Sequence, residues 1–145
     1  MHHVAIMRRS WGLTAKIALG KKTAEFRFSL TQRPPWDRIK KSDLVFFKDS
    51  GSPVTVKVGV EKVLQVADLN PKRIKTLLTK YGRADGIEGE DLPRFYKQFR
   101  NKKYCVLIFL KKATPVKPFE INKAGFGSMS AWITIPNINN VKKPL

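Results

Sequence analysis

The stretch Gly20-Lys21-Lys22-Thr23-Ala24-Glu25-Phe26-Arg27 joins a predicted helix to a predicted strand and carries the spacing G-x-K-x-x-E-x-R. Its glycine suits the left-handed end of a helix. In the strand that follows, over residues 23–30, side chains alternate between two faces. Glu25 and Arg27 therefore share one face, and Ala24 and Phe26 share the other. We expect the carboxylate and the guanidinium to orient each other and to bind a polar ligand.

The elements around this stretch predict more strands than helices. Before it, Ser10 is a candidate cap for a helix over residues 11–19. After it, residues 43–48 and 103–111 are apolar enough for buried strands. Valine occupies every second position from Val54 to Val60, which predicts a strand with one buried face. The alternation breaks at Glu61 and Lys62, which predicts a bulge that bends this strand.

Two further helices are predicted between these strands. Asn70 and Pro71 suit the start of a helix that ends at Gly82, with apolar residues at i, i+3, i+4 and i+7. Asp91 is a candidate cap for a second helix over residues 92–99, which has the same apolar spacing.

The last part of the chain is predicted to contain one strand between irregular segments. Residues 113–119 include two prolines and are predicted to form a loop. A final strand is predicted over residues 131–135, and residues 137–145 are predicted to be a loose basic tail. About five or six strands and three helices without repeated βαβ units predict an α+β fold, a small mixed β-barrel with helices at its rim. We expect one domain over residues 1–136, followed by the tail.

The charge of the chain points to a polyanionic partner. Its 145 residues include 29 Lys and Arg against 11 Asp and Glu, a formal net charge of +18. Such a field attracts polyanions and speeds their association. Nucleic acid is the partner we expect on this criterion, ahead of an anionic membrane surface.

The remaining composition excludes several classes of site. Cys105 is the only cysteine, so the chain has neither an intramolecular disulfide nor a cysteine-rich zinc site, and we expect this thiol to pack as a small apolar group. His2 and His3 have no third ligand in sight and are predicted to be solvated. We therefore expect no metal and no cofactor. No apolar run approaches the roughly 18 residues of a membrane span, so a cytoplasmic, soluble protein is expected.

The motif resembles the signature of the ASCH family, a branch of the PUA-like superfamily. The resemblance covers roughly residues 4–135 and includes the closing run 119–135, where a glycine-rich turn precedes a tryptophan-containing strand. It implies the same small β-barrel. It also implies that Lys22, Glu25 and Arg27 line a ligand cleft between the barrel and the first helix.

Candidate contacts to nucleic acid combine this motif with basic and aromatic residues elsewhere. They are Lys21, Lys22, Glu25, Arg27, Arg33, Trp36, Arg38, Trp11, Lys72, Arg73, Lys75 and Phe126. Each has a plainer alternative. The motif can be a structural ion pair, the tryptophans can pack in the core, the predicted 71–81 helix can present a merely solvated basic face, and Phe126 can belong to an ordinary hairpin turn.

These observations favour a binding module for nucleic acid, RNA before DNA, over an enzyme; they identify no protein partner. Some ASCH proteins are ribonucleases or acetylcytidine amidohydrolases, and that resemblance would make Lys22, Thr23 and Glu25 catalytic. The amidohydrolases carry threonine at the position of Glu25 and lack the insertion over residues 71–99, which favours binding. Two further candidate functions are a reader of modified bases in DNA and a coactivator-like interaction domain.

Overall fold

Seven strands form one curled sheet in the computed structural model, which describes residues 1–127 and 129–143. The elements in chain order are β1 His2–Met7, α1 Leu13–Ala18, β2 Ala24–Ser29, β3 Leu44–Asp49, β4 Val54–Val66, α2 Pro71–Tyr81, α3 Leu92–Phe99, β5 Tyr104–Ile121, β6 Trp132–Ile135 and β7 Lys142–Lys143. Short 3₁₀ helices cover Arg9–Trp11, Gly89–Asp91 and Ile138–Asn140. The predicted α+β fold is confirmed, with seven strands in place of five or six.

The sheet leaves a gap between its two end strands. Its strand order is β2-β5-β4-β3-β1-β6, with β7 paired to the far end of β5. The pair β1–β3 is parallel and the other pairs are antiparallel, so the sheet is mixed. We call the gap between β2 and the β1–β6 pair the seam. This half-barrel is open where the motif strand β2 lies.

Val56, Val58 and Val60 of β4 form one wall of the core inside the curl, whereas Val54 packs in a separate cluster with Phe46 and Phe119. Val54, Val56, Val58 and Val60 are all buried, as predicted. The pairing with β5 shifts register between Val60 and Lys62, which confirms the predicted bulge. The extra residue lets one long strand bend around the core.

A second core lies on the outer face of the sheet, under α2 and α3. Asn70 caps α2 by accepting a hydrogen bond from Arg73 N (2.9 Å), as predicted. Ile74 and Leu78 of α2 pack with Phe95 of α3 against Phe26 and neighbouring strand residues. No helix within residues 1–127 and 129–143 combines the length and apolar character needed to cross a bilayer.

The predicted loop over residues 113–119 is wrong, because β5 continues through it. Val56 lies opposite Pro115, and Val54 lies opposite Phe119. β2 pairs only with residues 104–109 of β5, so the stretch with prolines has β4 on one side. Proline is tolerated in such a strand because its missing N–H can face the edge without a partner.

Three smaller predictions are also corrected. The helix predicted over residues 11–19 is split, because Gly12 adopts a left-handed φ of 64° between Arg9–Trp11 and α1, so Ser10 is not its cap. Asp91 precedes α3 but its side chain makes no cap hydrogen bond. His3 is buried rather than solvated, with Nε2 2.8 Å from Asp43 Oδ2 and Nδ1 3.0 Å from Thr134 Oγ1.

The predicted looseness of the C-terminal tail is wrong for residues 137–143. Ile138 and Val141 are buried against β6 and the end of β5, and β7 pairs with Glu120 and Ile121. Ile138 and Val141, three positions apart, hold this basic segment to the sheet. Pro144 and Leu145 of the predicted tail, like Ser128 of the glycine-rich turn, lie outside the described residues. The division into a domain over 1–136 and a tail stays a prediction.

Candidate functional site

The turn before β2 directs Lys22 into the protein. Gly20 has the predicted left-handed conformation, with φ of 75°. Lys21 N and Lys22 N then both donate to Lys16 O, at 2.9 and 3.1 Å. The Lys22 side chain has 0% exposure, and its Nζ donates to Ala24 O (2.7 Å) and to Asp85 O (2.9 Å). This lysine is therefore enclosed and does not reach a surface ligand.

Two carboxylates share the Lys22 ammonium. Glu25 Oε1 lies 3.0 Å from Nζ, and Asp85 Oδ1 accepts a short hydrogen bond from the same nitrogen. Asp85 comes from the loop after α2, and its Oδ1 also accepts from Phe26 N at 3.0 Å. Gly86 has φ of 81°, and a Cβ there would lie 3.3 Å from Lys22 Cβ. Glycine at 86 thus lets this loop approach Lys22 closely.

Glu25 and Arg27 share one face of β2, as the strand alternation predicts, and this face is the inside of the curl. They lie opposite Ile108 and Val106 of β5. Arg27 Nη2 is 2.8 Å from Glu25 Oε2, and Arg27 Nε donates to the same oxygen at 3.0 Å. The guanidinium also reaches across the seam, where Nη1 donates to Ala131 O (3.3 Å). Arg27 therefore joins the two edges of the half-barrel.

The two carboxyls of this cluster differ in pKa because they have different numbers of cationic partners. Burial opposes ionisation of Glu25, but Lys22 and Arg27 together outweigh it and hold its pKa below the ordinary value. Burial raises the pKa of Asp85 to about 7, because Lys22 offsets it only in part and the charge of Glu25 adds repulsion. A carboxyl that titrates near neutrality is common at functional sites and also occurs in structural networks.

Two cavities lie along the seam, one on each side of Arg27. The first, of about 470 Å³, is lined by Ser29, Arg33, Pro34, Pro35 and Trp132, and we call it the arginine cavity. The second, of about 230 Å³, is lined by Arg8, Trp11, Glu25, Asp85, Phe95 and Phe99, and we call it the aromatic cavity. Arg27, Phe28 and Ala131 line both. The aromatic cavity lies between the sheet, the segment before α1 and α3, and its lining includes Glu25 and Arg27 of the motif but not Lys22.

The structure brings some of the predicted contact residues to these cavities. Arg27 and Arg33 line the arginine cavity, while Trp11, Glu25 and Arg27 line the aromatic one. Trp11 also packs on Phe95, with ring centroids 4.9 Å apart, so it serves both the core and the cavity wall. Lys22 lines neither cavity and is bound to Glu25.

Other predicted residues lie elsewhere. Trp36 is half-buried and packs against Tyr104, with ring centroids 5.2 Å apart. It therefore follows the plainer alternative, in which the tryptophan packs against the protein. Thr23 is exposed and lines a separate depression near Leu110 and Lys112. Five exposed residues line neither cavity, namely Lys21, Arg38, Lys72, Arg73 and Lys75; Phe126 is also outside both, with 38% exposure.

Sequence reasoning missed Asp85, Arg8 and the cavity role of α3. Asp85 lies in a polar, glycine-containing segment that is typical of an ordinary loop. The Asp85-Gly86 pair is the one local signal for a tight turn there. Phe95 and Phe99 are predicted as core by their spacing, and both also line the aromatic cavity. Cys105 is buried as predicted, and burial raises the pKa of its thiol.

Comparisons with known proteins identify the fold. No protein-family model matches the chain, and no curated protein sequence matches it. Among solved structures, the ASCH protein from Zymomonas mobilis is similar with a TM-score of 0.68, over 99% of this chain and 96% of that one, at 17% identity. The N-terminal domain of McrB from Staphylothermus marinus is similar with a TM-score of 0.56, over 92% of this chain and 87% of that one, at 12% identity. The predicted resemblance to the ASCH fold is confirmed.

Proposed function

Because the chain has the ASCH fold, a PUA-like curled half-barrel, and a formal net charge of +18, we propose that it is a nucleic-acid-binding module that prefers RNA. The observation that carries the proposal is the pair of cavities along the seam, each lined by an exposed arginine. Arg33 lines the arginine cavity, and Arg8 lines the aromatic cavity. An unpaired strand offers phosphates to such arginines and bases to such cavities.

Affinity and selection are assigned to different parts of the surface. Exposed lysines and arginines attract phosphate without regard to sequence, and about five phosphate contacts give a log–log salt slope near −3.5 for a single strand. The cavities select the nucleotide, because base contacts carry the sequence information. This division matches a protein whose charge is spread widely but whose cavities lie together.

Arg27 serves in this proposal as a positioning residue for the cavity walls. Its guanidinium donates to Glu25 and to Ala131 O across the seam, so much of its hydrogen-bonding capacity is taken up within the protein. Phosphate contact therefore falls mainly to Arg33 and Arg8, whose side chains are exposed. Arg–phosphate pairs are frequently bidentate, which suits these planar guanidinium groups.

An ASCH-type hydrolase is the second candidate, and Asp85 is the observation that favours it. A carboxyl with a pKa of about 7 at the floor of a cavity suits general acid–base chemistry. Against it, Lys22 is enclosed by Glu25, Asp85 and two carbonyls, and Thr23 lies outside the aromatic cavity. Incubation of the protein with RNA and with acetylcytidine tests this candidate, and we expect both to stay intact.

The binding proposal is tested with fluorescent single-stranded RNA, duplex RNA and single-stranded DNA at two salt concentrations. Arg33→Gln removes the exposed arginine of the arginine cavity, and Arg38→Gln is the matched control on the same segment outside both cavities. We expect salt-sensitive binding of single-stranded RNA and a loss of at least about tenfold for Arg33→Gln, the cost of one charge-assisted hydrogen bond.

Three outcomes would change the proposal. Equal small losses in both variants would reduce it to general attraction between a polycation and a polyanion. Tighter binding of DNA would overturn the preference for RNA and favour a reader of DNA bases. An absence of binding at low salt would reject the nucleic-acid function.

A further inference from the structure

The floor of the aromatic cavity carries one carboxylate oxygen that accepts no hydrogen bond from the part of the chain that the structure describes. Asp85 is 3% exposed, and its Oδ1 accepts hydrogen bonds from Lys22 Nζ and Phe26 N. Its Oδ2 accepts no hydrogen bond from residues 1–127 and 129–143, and it is not one of the fully buried, unpartnered polar atoms of those residues, which are Thr14 Oγ1 and Asp49 Oδ1. Glu25 differs, because Lys22 takes Oε1 and Arg27 takes Oε2.

We infer that the aromatic cavity binds one unstacked nucleobase with an exocyclic amine, and that Asp85 Oδ2 accepts a hydrogen bond from that amine. The inference rests on the proposed nucleic-acid function and assigns it a base-reading residue. Adenine, cytosine and guanine carry such an amine, whereas uracil does not. A site built around a hydrogen bond rejects a ligand that lacks the donor, because its buried acceptor is then left unpaired.

The walls of the cavity suit a flat aromatic ring. Trp11 packs edge-on to Phe95 and Phe99, at centroid distances of 4.9 and 6.1 Å. Phe28 stacks on Phe99 with centroids 4.8 Å apart. The volume of about 230 Å³ is below the roughly 300–1,000 Å³ typical of drug-sized ligands, which favours a base over a whole nucleotide. Base stacking on aromatic side chains tolerates any sequence, so selection falls to the polar floor.

Arg8 at the mouth of the cavity and Asp85 at its floor favour a base that belongs to a nucleotide. Arg8 is exposed, lines the cavity and lies over Trp11, with its Cζ 4.8 Å from the ring centroid. A phosphate next to the bound base meets this guanidinium, while the amine meets Asp85.

The amine preference also depends on pH. Lys22 and Glu25 face Asp85 from the β2 side, and Arg27 is joined to it through Glu25. Lys16 of α1 reaches Gly86 O at 2.6 Å, and the buried Cys105 thiol lies on the β5 side. Burial raises the pKa of Asp85 to about 7, so protonation at pH 6 converts the acceptor into a hydroxyl. The preference for an amine is therefore greater at pH 8.

The experiment compares the binding of AMP, CMP, GMP and UMP at pH 8 and pH 6 by calorimetry. We expect at least one amine-bearing probe to bind about tenfold tighter than UMP at pH 8, within the discrimination of one base contact. That ratio falls several-fold at pH 6. Asp85→Asn removes both the preference and its pH dependence, while the control Glu90→Gln, at an exposed residue outside the cavity, keeps them.

The outcomes separate this inference from the proposed function. If no amine-bearing probe is preferred at pH 8, or if a folded Asp85→Asn protein keeps the preference, the inference is wrong. Salt-sensitive RNA binding in the same protein would then leave the proposed function standing. If Asp85→Asn does not fold, the pH profile of the wild type alone decides, and an amine preference that is equal at pH 6 and pH 8 overturns the role of Asp85.

Discussion

The motif cluster of Lys22, Glu25, Arg27 and Asp85 and the outward face of α2 both contain cationic side chains, yet the protein uses these charges differently. In the cluster the cations lie against carboxylates, and the Lys22 side chain has 0% exposure. On α2, Lys72 and Lys75 are exposed to solvent. The comparison teaches that burial and partners, rather than the number of charges, separate a positioned site from a general electrostatic surface.

The two regions also form in different ways. The cluster joins residues far apart in the chain, since Asp85 and Lys22 are 63 positions apart. The start of α2 depends on Asn70 and Arg73, three positions apart. We expect changes in the cluster to affect folding strongly, and changes of the α2 lysines to affect only association.

The largest expected effect is that of Lys22→Met on stability. This change leaves Glu25 and Asp85 facing each other without their shared ammonium, and breaking a buried ion pair costs about 3–5 kcal/mol of the free energy of unfolding. Urea unfolding at pH 8 measures the loss. The control Lys21→Met removes the adjacent, exposed charge and should leave the midpoint unchanged. Equal midpoints for the two variants would show that the cluster does not hold the fold together.

The next effect is a dependence of stability on pH that belongs to Asp85. Its folded pKa of about 7 lies above the ordinary aspartate value, so between about pH 5 and pH 7 the folded state holds a proton that the unfolded state releases. Its contribution is complete at low pH and is lost as the pH rises through 7, with a slope of up to about 1.4 kcal/mol per unit.

Other titratable groups change the stability with pH in the opposite sense. The effect of Asp85 is therefore measured as the difference between the pH slopes of wild type and Asp85→Asn. Burial lowers the pKa of His3, which makes acid destabilising below its unfolded value, and Glu25 acts in the same sense at lower pH. Unfolding of wild type and Asp85→Asn at several pH values cancels these shared terms. If both proteins show the same slope, Asp85 does not bind the proton.

A smaller effect tests the local origin of α2. Asn70→Ala removes the side chain that accepts from Arg73 N, and the loss of such a cap costs about 1 kcal/mol. Thr79→Ala on the exposed surface of the same helix is the control. Thermal or urea unfolding that gives both variants the same stability would contradict the role of the cap.

The smallest effect on stability is expected from Lys72→Gln combined with Lys75→Gln. Neither lysine is buried, so the unfolding midpoint should not move. RNA binding should weaken alike for all sequences, and the salt slope should fall in magnitude by about 0.7 for each phosphate that the variant no longer neutralises. A double change of Lys40 and Lys41 to Gln removes the same charge elsewhere. A changed base preference in the α2 variant would contradict the view that these lysines attract phosphate without regard to sequence.

Much of the local structure could be predicted from spacing. The alternation in residues 23–30 correctly placed Glu25 and Arg27 on one face, and the valines of β4 correctly indicated the buried wall and the bulge. Asn70 and the apolar spacing after it correctly located α2. In each case the signal repeats within a few residues and depends on backbone geometry.

Contacts between residues that are distant in the sequence could not be predicted from local spacing. Pro115 and Pro118 indicated a loop, but β4 supplies hydrogen-bonding partners that extend β5 through them. The sequence around Asp85 predicts a loop, but the turn at Gly86 places its carboxylate against Lys22. The sequence predicts a solvated His3, but β6 and Asp43 enclose it.

The amino-acid order was therefore enough to specify β4, α2, the overall positive charge and the pairing of Glu25 with Arg27, because these follow from composition and from neighbours along the chain. The curl of the sheet was needed to enclose Lys22, to raise the pKa of Asp85 to about 7 and to open two cavities at the seam. Burial and electrostatic coupling depend on distances in space, and folding brings residue 85 to residue 22.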